Sequence, residues 1–245
     1  MIYIMSDIHG NTKRFDSVLS QIDLKPEDTL YILGDVVDRY PDGIAILQRI
    51  MKMPNVKMLL GNHEYMMLNV LAGNKHDDVE WGISDWSDLR RLWFDNGGRT
   101  TYNAIRLLSE EELREITRYL KALPLNIDIE VGGKKYKLVH ASDKDDYAGS
   151  GLFGYYENET EFAVWKRWRP NEPTPTDHIR ICGHTPTIKY QEDNPLKIWY
   201  GNNMIGIDCG AGFPEKQPYE HIYYKGRLSC LRLDDMQEFY SEEEY

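Results

Sequence analysis

Long apolar runs are absent from this chain of 245 residues, and none approaches the roughly 18 residues that a membrane helix requires. No membrane span or membrane partner is expected. The opening Met1 to Met5 is apolar but meets Asp7 at once, without the basic start and long apolar core of a secretory signal. It reads as a first strand in a cytoplasmic protein. Cysteine is scarce too: Cys182, Cys209 and Cys230 are odd in number and form no CxxC pair. That excludes a disulfide framework or thiolate zinc site and leaves buried, reduced thiols. Positive charge is in deficit, with a net charge of -11, so no nucleic-acid-binding surface is evident. Phosphate has to be attracted locally.

Apolar residues (41%) and charged residues (28%) are balanced as in a soluble globular protein, and one domain over 1–245 with insertions is the expectation. Met1 to Met5, Thr29 to Leu33 and Val56 to Leu60 read as buried strands. Between them, Asn11 to Ile22 and Gly43 to Met53 carry apolar residues at helical spacing. This alternation predicts an α/β protein with right-handed crossovers, its functional groups gathered beyond the carboxyl ends of parallel strands. Residues 73–103, with Trp81, Trp86 and Trp93, read as an irregular or helical insertion that could cover a site. Ser109 to Leu123 reads as a helix capped by Ser109 and Glu112 and stopped at Pro124. Gly132-Gly133-Lys134 marks a hairpin between Ile127 to Val131 and Lys135 to Val139. Residues 143–176 read as a second insertion, a loop with a short helix around Thr160 to Trp168. Strands at His178 to Cys182, Met204 to Asp208, His221 to Tyr224 and Leu228 to Leu233 complete the reading.

Polar groups cluster where the strands end. Asp7 and His9 lie in Ser6-Asp7-Ile8-His9-Gly10; Asp35, Asp38 and Arg39 in Gly34-Asp35-Val36-Val37-Asp38-Arg39; Asn62, His63 and Glu64 in Gly61-Asn62-His63-Glu64. Asp35 follows Asp7 by 28 residues and Asn62 follows Asp35 by 27, about one strand-helix-strand repeat each, so all reach one edge. His140 and His184 also follow strands. Carboxylate, imidazole and amide oxygen together favour manganese, iron or zinc over a pure oxygen cage. Asp35, on the central strand of the three, is the natural bridge between two ions, which would supply a hydroxide at neutral pH and clamp phosphate oxygens.

The ordered set DxH, GDxxDR, GNHE, HA and GHT, from Asp7 to His184, resembles the serine/threonine phosphoprotein phosphatases. It looks particularly like the compact bacterial and bacteriophage lambda branch of that family, within the calcineurin-like metallophosphoesterase superfamily. The resemblance implies two facing mixed sheets flanked by helices, an α/β layered fold. It implies that Asp7, His9 and Asp35 hold a first metal and Asp35, Asn62, His140 and His184 a second, manganese foremost, with iron or zinc as alternatives. It makes His63 a proton donor held by Asp38, and Arg39 and Arg167 phosphate contacts, with Arg169 competing for the place of Arg167. Tyr40 departs from the family's glycine and precedes Pro41, which pushes it away from a left-handed turn. The implied function is hydrolysis of phosphomonoesters, on a phosphorylated protein or a small phosphoester. The alternative is a dinucleoside polyphosphate hydrolase or phosphodiesterase, although tetraphosphate hydrolases of the family tend to lack the aspartate at Asp38. A noncatalytic phosphate-binding module is the remote one. Trp81, Trp86, Tyr155 and Tyr156 are candidates for a groove or for core cover.

Overall fold

Three strand-helix units open the chain: β1 (Ile2–Met5), α1 (Thr12–Ile22), β2 (Thr29–Ile32), α2 (Gly43–Ile50), β3 (Val56–Met58) and α3 (Asn62–Gly73). Asn11 caps α1 by accepting the Arg14 N–H. The computed structural model describes residues 1–73, 86–152, 155–169, 172, 177–213 and 225–242. The expected strand at 221–224, together with Trp81, His76 and His221, lies outside these.

The chain continues through α4 (Trp86–Asp95), α5 (Arg99–Ile105) and α6 (Glu110–Lys121) to the hairpin of β4 (Asn126–Val131) and β5 (Lys134–Val139). Then come α7 (Glu159–Trp165), β6 (Ile179–Cys182), β7 (Trp199–Gly201), β8 (Met204–Gly206), β9 (Ser229–Arg232) and β10 (Gln237–Tyr240). Ser109 and Glu112 form the reciprocal capping box on α6. Gly132 and Gly133 both take positive φ, as a two-residue hairpin turn demands.

The strands form two five-stranded sheets, ordered β10-β9-β1-β2-β3 and β4-β5-β6-β8-β7. Each is mixed: β1, β2 and β3 are parallel in the first, β5, β6 and β8 in the second, with antiparallel neighbours outside them. Because side chains alternate along a strand, Ile4 and Leu231 of one sheet meet Leu138, Ile181 and Ile205 of the other in a core between the sheets. Tyr3, Met5, Leu30 and Ile32 point outward, against α1, α2 and α3. The expected layered α/β fold of two mixed sheets flanked by helices is therefore the one observed.

Candidate dimetal site

Six parallel strands bring their carboxyl ends to one mouth between the sheets. Asp7, Asp35 and Asn62 follow β1, β2 and β3; His140, His184 and Asp208 follow β5, β6 and β8. All six side chains are buried. Hydrogen bonds stitch the sheets together here: the His184 N–H donates to the Asp7 carboxylate (3.0 Å to Oδ2), and His140 Nδ1 lies 2.7 Å from the Leu33 carbonyl. Glycine is required at 61 and 183, because a Cβ would come within 2.2 Å of Asp35 Oδ1 or 2.0 Å of Ser6 Oγ.

The tautomers define the chemistry. A backbone carbonyl can only accept, so His140 Nδ1 donates to Leu33, and Nε2 is the ring nitrogen left to offer a lone pair. Nε2 faces Asn62 Oδ1 at 2.9 Å and Asp35 Oδ1 at 3.6 Å. His9 repeats the arrangement: Nδ1 donates to the Val37 carbonyl (3.1 Å), and Nε2 faces Asp7 Oδ1 at 3.9 Å and Asp35 Oδ2 at 3.8 Å. Acceptors turned on acceptors repel unless a cation lies among them, and a ring N–H given to a carbonyl is the usual support of a metal-binding histidine. His184 Nδ1 is 2.9 Å from the same Asn62 oxygen, and its buried Nε2 has no partner. The residues thus fit metal. Burial lowers His9 well below its ordinary value, reinforced by Arg39 and His63; burial lowers His184 likewise, reinforced by His140 and Arg167. Both rings stay neutral and keep their lone pairs. Burial and the Asp35 charge raise Asp7, the sign of carboxylates crowded without a counter-charge.

Two donor clusters result, His9 with Asp35 and His63, and Asp35 with His140 and His184; within each, the donor atoms lie within 4.8 Å of one another. Asp35 belongs to both. His63 is within reach of the first cluster, yet its Nδ1 is 2.6 Å from Asp38 Oδ2. Its pKa is raised because Asp35 and Asp38 together outweigh the opposing effect of burial, the largest single influence. Glu64 sits beneath, accepting the N–H groups of Asp35, Val36, Val37 and Gly61 at 2.8 to 3.2 Å and so tying the ends of β2 and β3 together. Burial and the Asp35 charge push it up to about 7, against the backbone N–H groups.

Several residues of the site hold left-handed backbone: Asp7, His9, Asp35, Asp38, Arg39 and His184 all have φ between 50° and 73°. Tyr40 does not, in keeping with the restraint from Pro41. The turn falls one and two residues earlier, and Arg39 Nη2 emerges 3.5 Å from His63 Nε2. Arg167, just beyond α7, donates to the His184 carbonyl (3.1 Å) and Thr185 Oγ1 (3.2 Å), whereas Arg169 makes no such contact with these residues.

Three participants were not anticipated. Trp93 Nε1 donates to Asp38 Oδ2 at 2.8 Å, and Thr101 Oγ1 accepts the Asp38 N–H at 2.9 Å. Asp208 is buried near Asp7 and pushed well above the usual carboxylate range, by burial first. Its position after a strand, in Gly206-Ile207-Asp208, was the signal available; for Trp93 it was only a place in the 73–103 insertion. Trp86 packs on α3, its Nε1 donating to the Val70 carbonyl, and Tyr156 packs on Phe162, so both cover core. Tyr155 is exposed.

Residues 1–207 match the calcineurin-like phosphoesterase family. The chain belongs to this family. It is accordingly a metallophosphoesterase and a hydrolase. A symmetrical bis(5'-nucleosyl)-tetraphosphatase of Salmonella paratyphi C is 36% identical, the match covering 97% of this chain and 93% of that one. The serine/threonine-protein phosphatase 2 of Salmonella typhimurium is 28% identical over 69% and 68%. A metallophosphoesterase structure from Sphaerobacter thermophilus superposes with a TM-score of 0.54 at 17% identity, over 100% of this chain and 88% of that one, which bears on the fold alone. Among the described residues, no helix of this phosphoesterase is long and apolar enough to cross a membrane.

Proposed function

We propose that the chain hydrolyses dinucleoside polyphosphates at a dimetal centre bridged by Asp35. The observation that carries the centre is the sharing of Asp35 between two clusters of facing acceptors. The nucleotide substrate is supported by the tetraphosphatase relatives, which match this chain over nearly its whole length. This reverses the order that the aspartate at Asp38 suggests. Asp7, His9 and Asp35 hold one ion, and Asp35, Asn62, His140 and His184 the other. Two such ions, when bound, activate water and neutralise charge on the phosphate. Arg39, beyond β2, and Arg167, beyond α7, are planar forks suited to phosphate oxygens.

A second reading, hydrolysis of serine or threonine phosphoesters, is favoured by the Asp38–His63 contact. A polyphosphate leaving group departs as a weakly basic anion, whereas an alkoxide needs a proton as its bond to phosphorus breaks. His63, charged by Asp38 and Asp35, is equipped to give one. An activity screen with added manganese over diadenosine tetraphosphate, mononucleotides, phosphopeptides and a phosphodiester decides between the readings. Higher kcat/KM on phosphopeptide than on the dinucleotide would reverse the assignment.

A further inference from the structure

A cavity of about 770 Å³ opens beside the dimetal site, lined by Arg39, Tyr40, Asp95, Asn96, Gly212 and Phe213. Its size falls in the range of roughly 300 to 1,000 Å³ typical of small-molecule sites. Arg39 stands at the boundary. Its stem passes between Gly97 and Gly212, where a Cβ would lie 2.9 Å from Arg39 Cγ or 2.5 Å from Arg39 Nη1, and its Nη2 lies 3.5 Å from His63. A phosphate held by Arg39 would have this cavity beside it.

Two aromatic side chains, Tyr40 and Phe213, stand in its walls beside the charged Arg39 and Asp95. Tyr40 N–H donates to the His9 carbonyl (3.1 Å) and its hydroxyl to the Phe213 carbonyl (2.8 Å), which fixes the ring relative to the centre and ties both aromatic residues together. The Asp95 carboxylate in the lining disfavours further phosphates and offers acceptors for hydroxyl or amine groups. Asn96 gives its amide N–H to the Leu92 carbonyl, which leaves its oxygen as an acceptor. We infer that Tyr40 and Phe213 form a nucleoside subsite, taking the base and ribose attached to the phosphate that Arg39 contacts. The inference rests on the nucleotide reading above.

Stacking of a base on an aromatic side chain is sensitive to alanine substitution, typically by about fivefold to a hundredfold in affinity. The test is titration calorimetry of adenosine 5'-monophosphate and of inorganic phosphate on the full-length manganese-loaded protein, together with KM for diadenosine tetraphosphate. Tyr40→Ala is expected to weaken the nucleotide at least five times more than phosphate and to raise KM about tenfold, while Tyr40→Phe keeps both within about threefold. Phe213→Ala provides the same comparison should Tyr40→Ala fail to fold. Equal losses for nucleotide and phosphate, or an unchanged nucleotide affinity in both alanine variants, would overturn the subsite. Wild-type protein that binds the monophosphate no better than phosphate overturns it as well. Wild-type protein that prefers the monophosphate but leaves diadenosine tetraphosphate intact sinks the nucleotide-hydrolase reading instead and leaves the subsite standing.

Discussion

Asp38 Oδ2 lies 2.6 Å from His63 Nδ1 and accepts the Trp93 indole N–H at 2.8 Å, so one carboxylate oxygen is fixed from two sides. With Nδ1 engaged by Asp38, the other ring nitrogen, Nε2, is left facing Arg39 Nη2 at 3.5 Å and Asp35 Oδ2 at 3.8 Å. This geometry supports the proposed roles of donor for His63 and orienting carboxylate for Asp38, and it adds Trp93 as a buried prop.

His63→Asn should retain both metals and slow phosphoserine hydrolysis by about 10² to 10⁴, the usual contribution of a positioned acid. Its effect on p-nitrophenyl phosphate, whose phenolate leaves without protonation, should be distinctly smaller. Equal losses on the two substrates, or one metal ion missing by elemental analysis, would remove the acid role.

His63 is held above the ordinary histidine value of about 6.5, and a donor works only while protonated. Activity on alkyl phosphates should therefore be full below the folded-state pKa and fall as pH rises through it. Asp38→Asn deletes a charge that raises this pKa, so the descending limb of the kcat/KM profile should move to lower pH. A limb that stays in place would show that another group titrates.

Asp35→Asn should cost both metal positions much of their affinity, because a neutral amide replaces the charge shared by two clusters. Metal content and activity should fall together. Two ions at full occupancy in this variant would argue against a bridge.

Arg167→Ala should weaken inorganic phosphate as a competitive inhibitor while leaving metal content unchanged. Arg169→Ala, which lacks the contacts of Arg167 with His184 and Thr185, should do little. The opposite ranking would move the phosphate contact to Arg169.

Ser109→Ala removes the side chain that accepts the Glu112 N–H at the start of α6. The expected cost is about 1 kcal/mol. For a chain of this length, that is a fall of about 2 to 4 °C in thermal midpoint, read by calorimetry. An unchanged midpoint would mean that water replaces the cap at no cost.

The first half of the fold was legible because its signals are local and periodic: the near-equal spacing of Asp7, Asp35 and Asn62, the Ser109 cap and the paired glycines. Helix α3 was not, since Asn62, His63, Glu64, Met66, Met67, Leu68 and Val70 are all buried and leave no apolar stripe against a polar face. The three-residue edge strand β7 and the half-exposed β10 offered too few residues for an alternation to be read. At the site, motif residues could be picked out one by one, but Trp93 meets Asp38 across 55 residues of chain with nothing in either segment to announce it.

The six left-handed residues around the centre place it within the thermodynamics of the whole chain. None is glycine, and each resists this conformation by on the order of 1 kcal/mol. The unfolded chain escapes that resistance, and the folded chain overcomes it by its ladder of hydrogen bonds and the Glu64 anchor. A cation that recognises only the assembled donors adds its binding free energy to folding by mass action. Metal availability would then set the lifetime of the protein as well as its turnover.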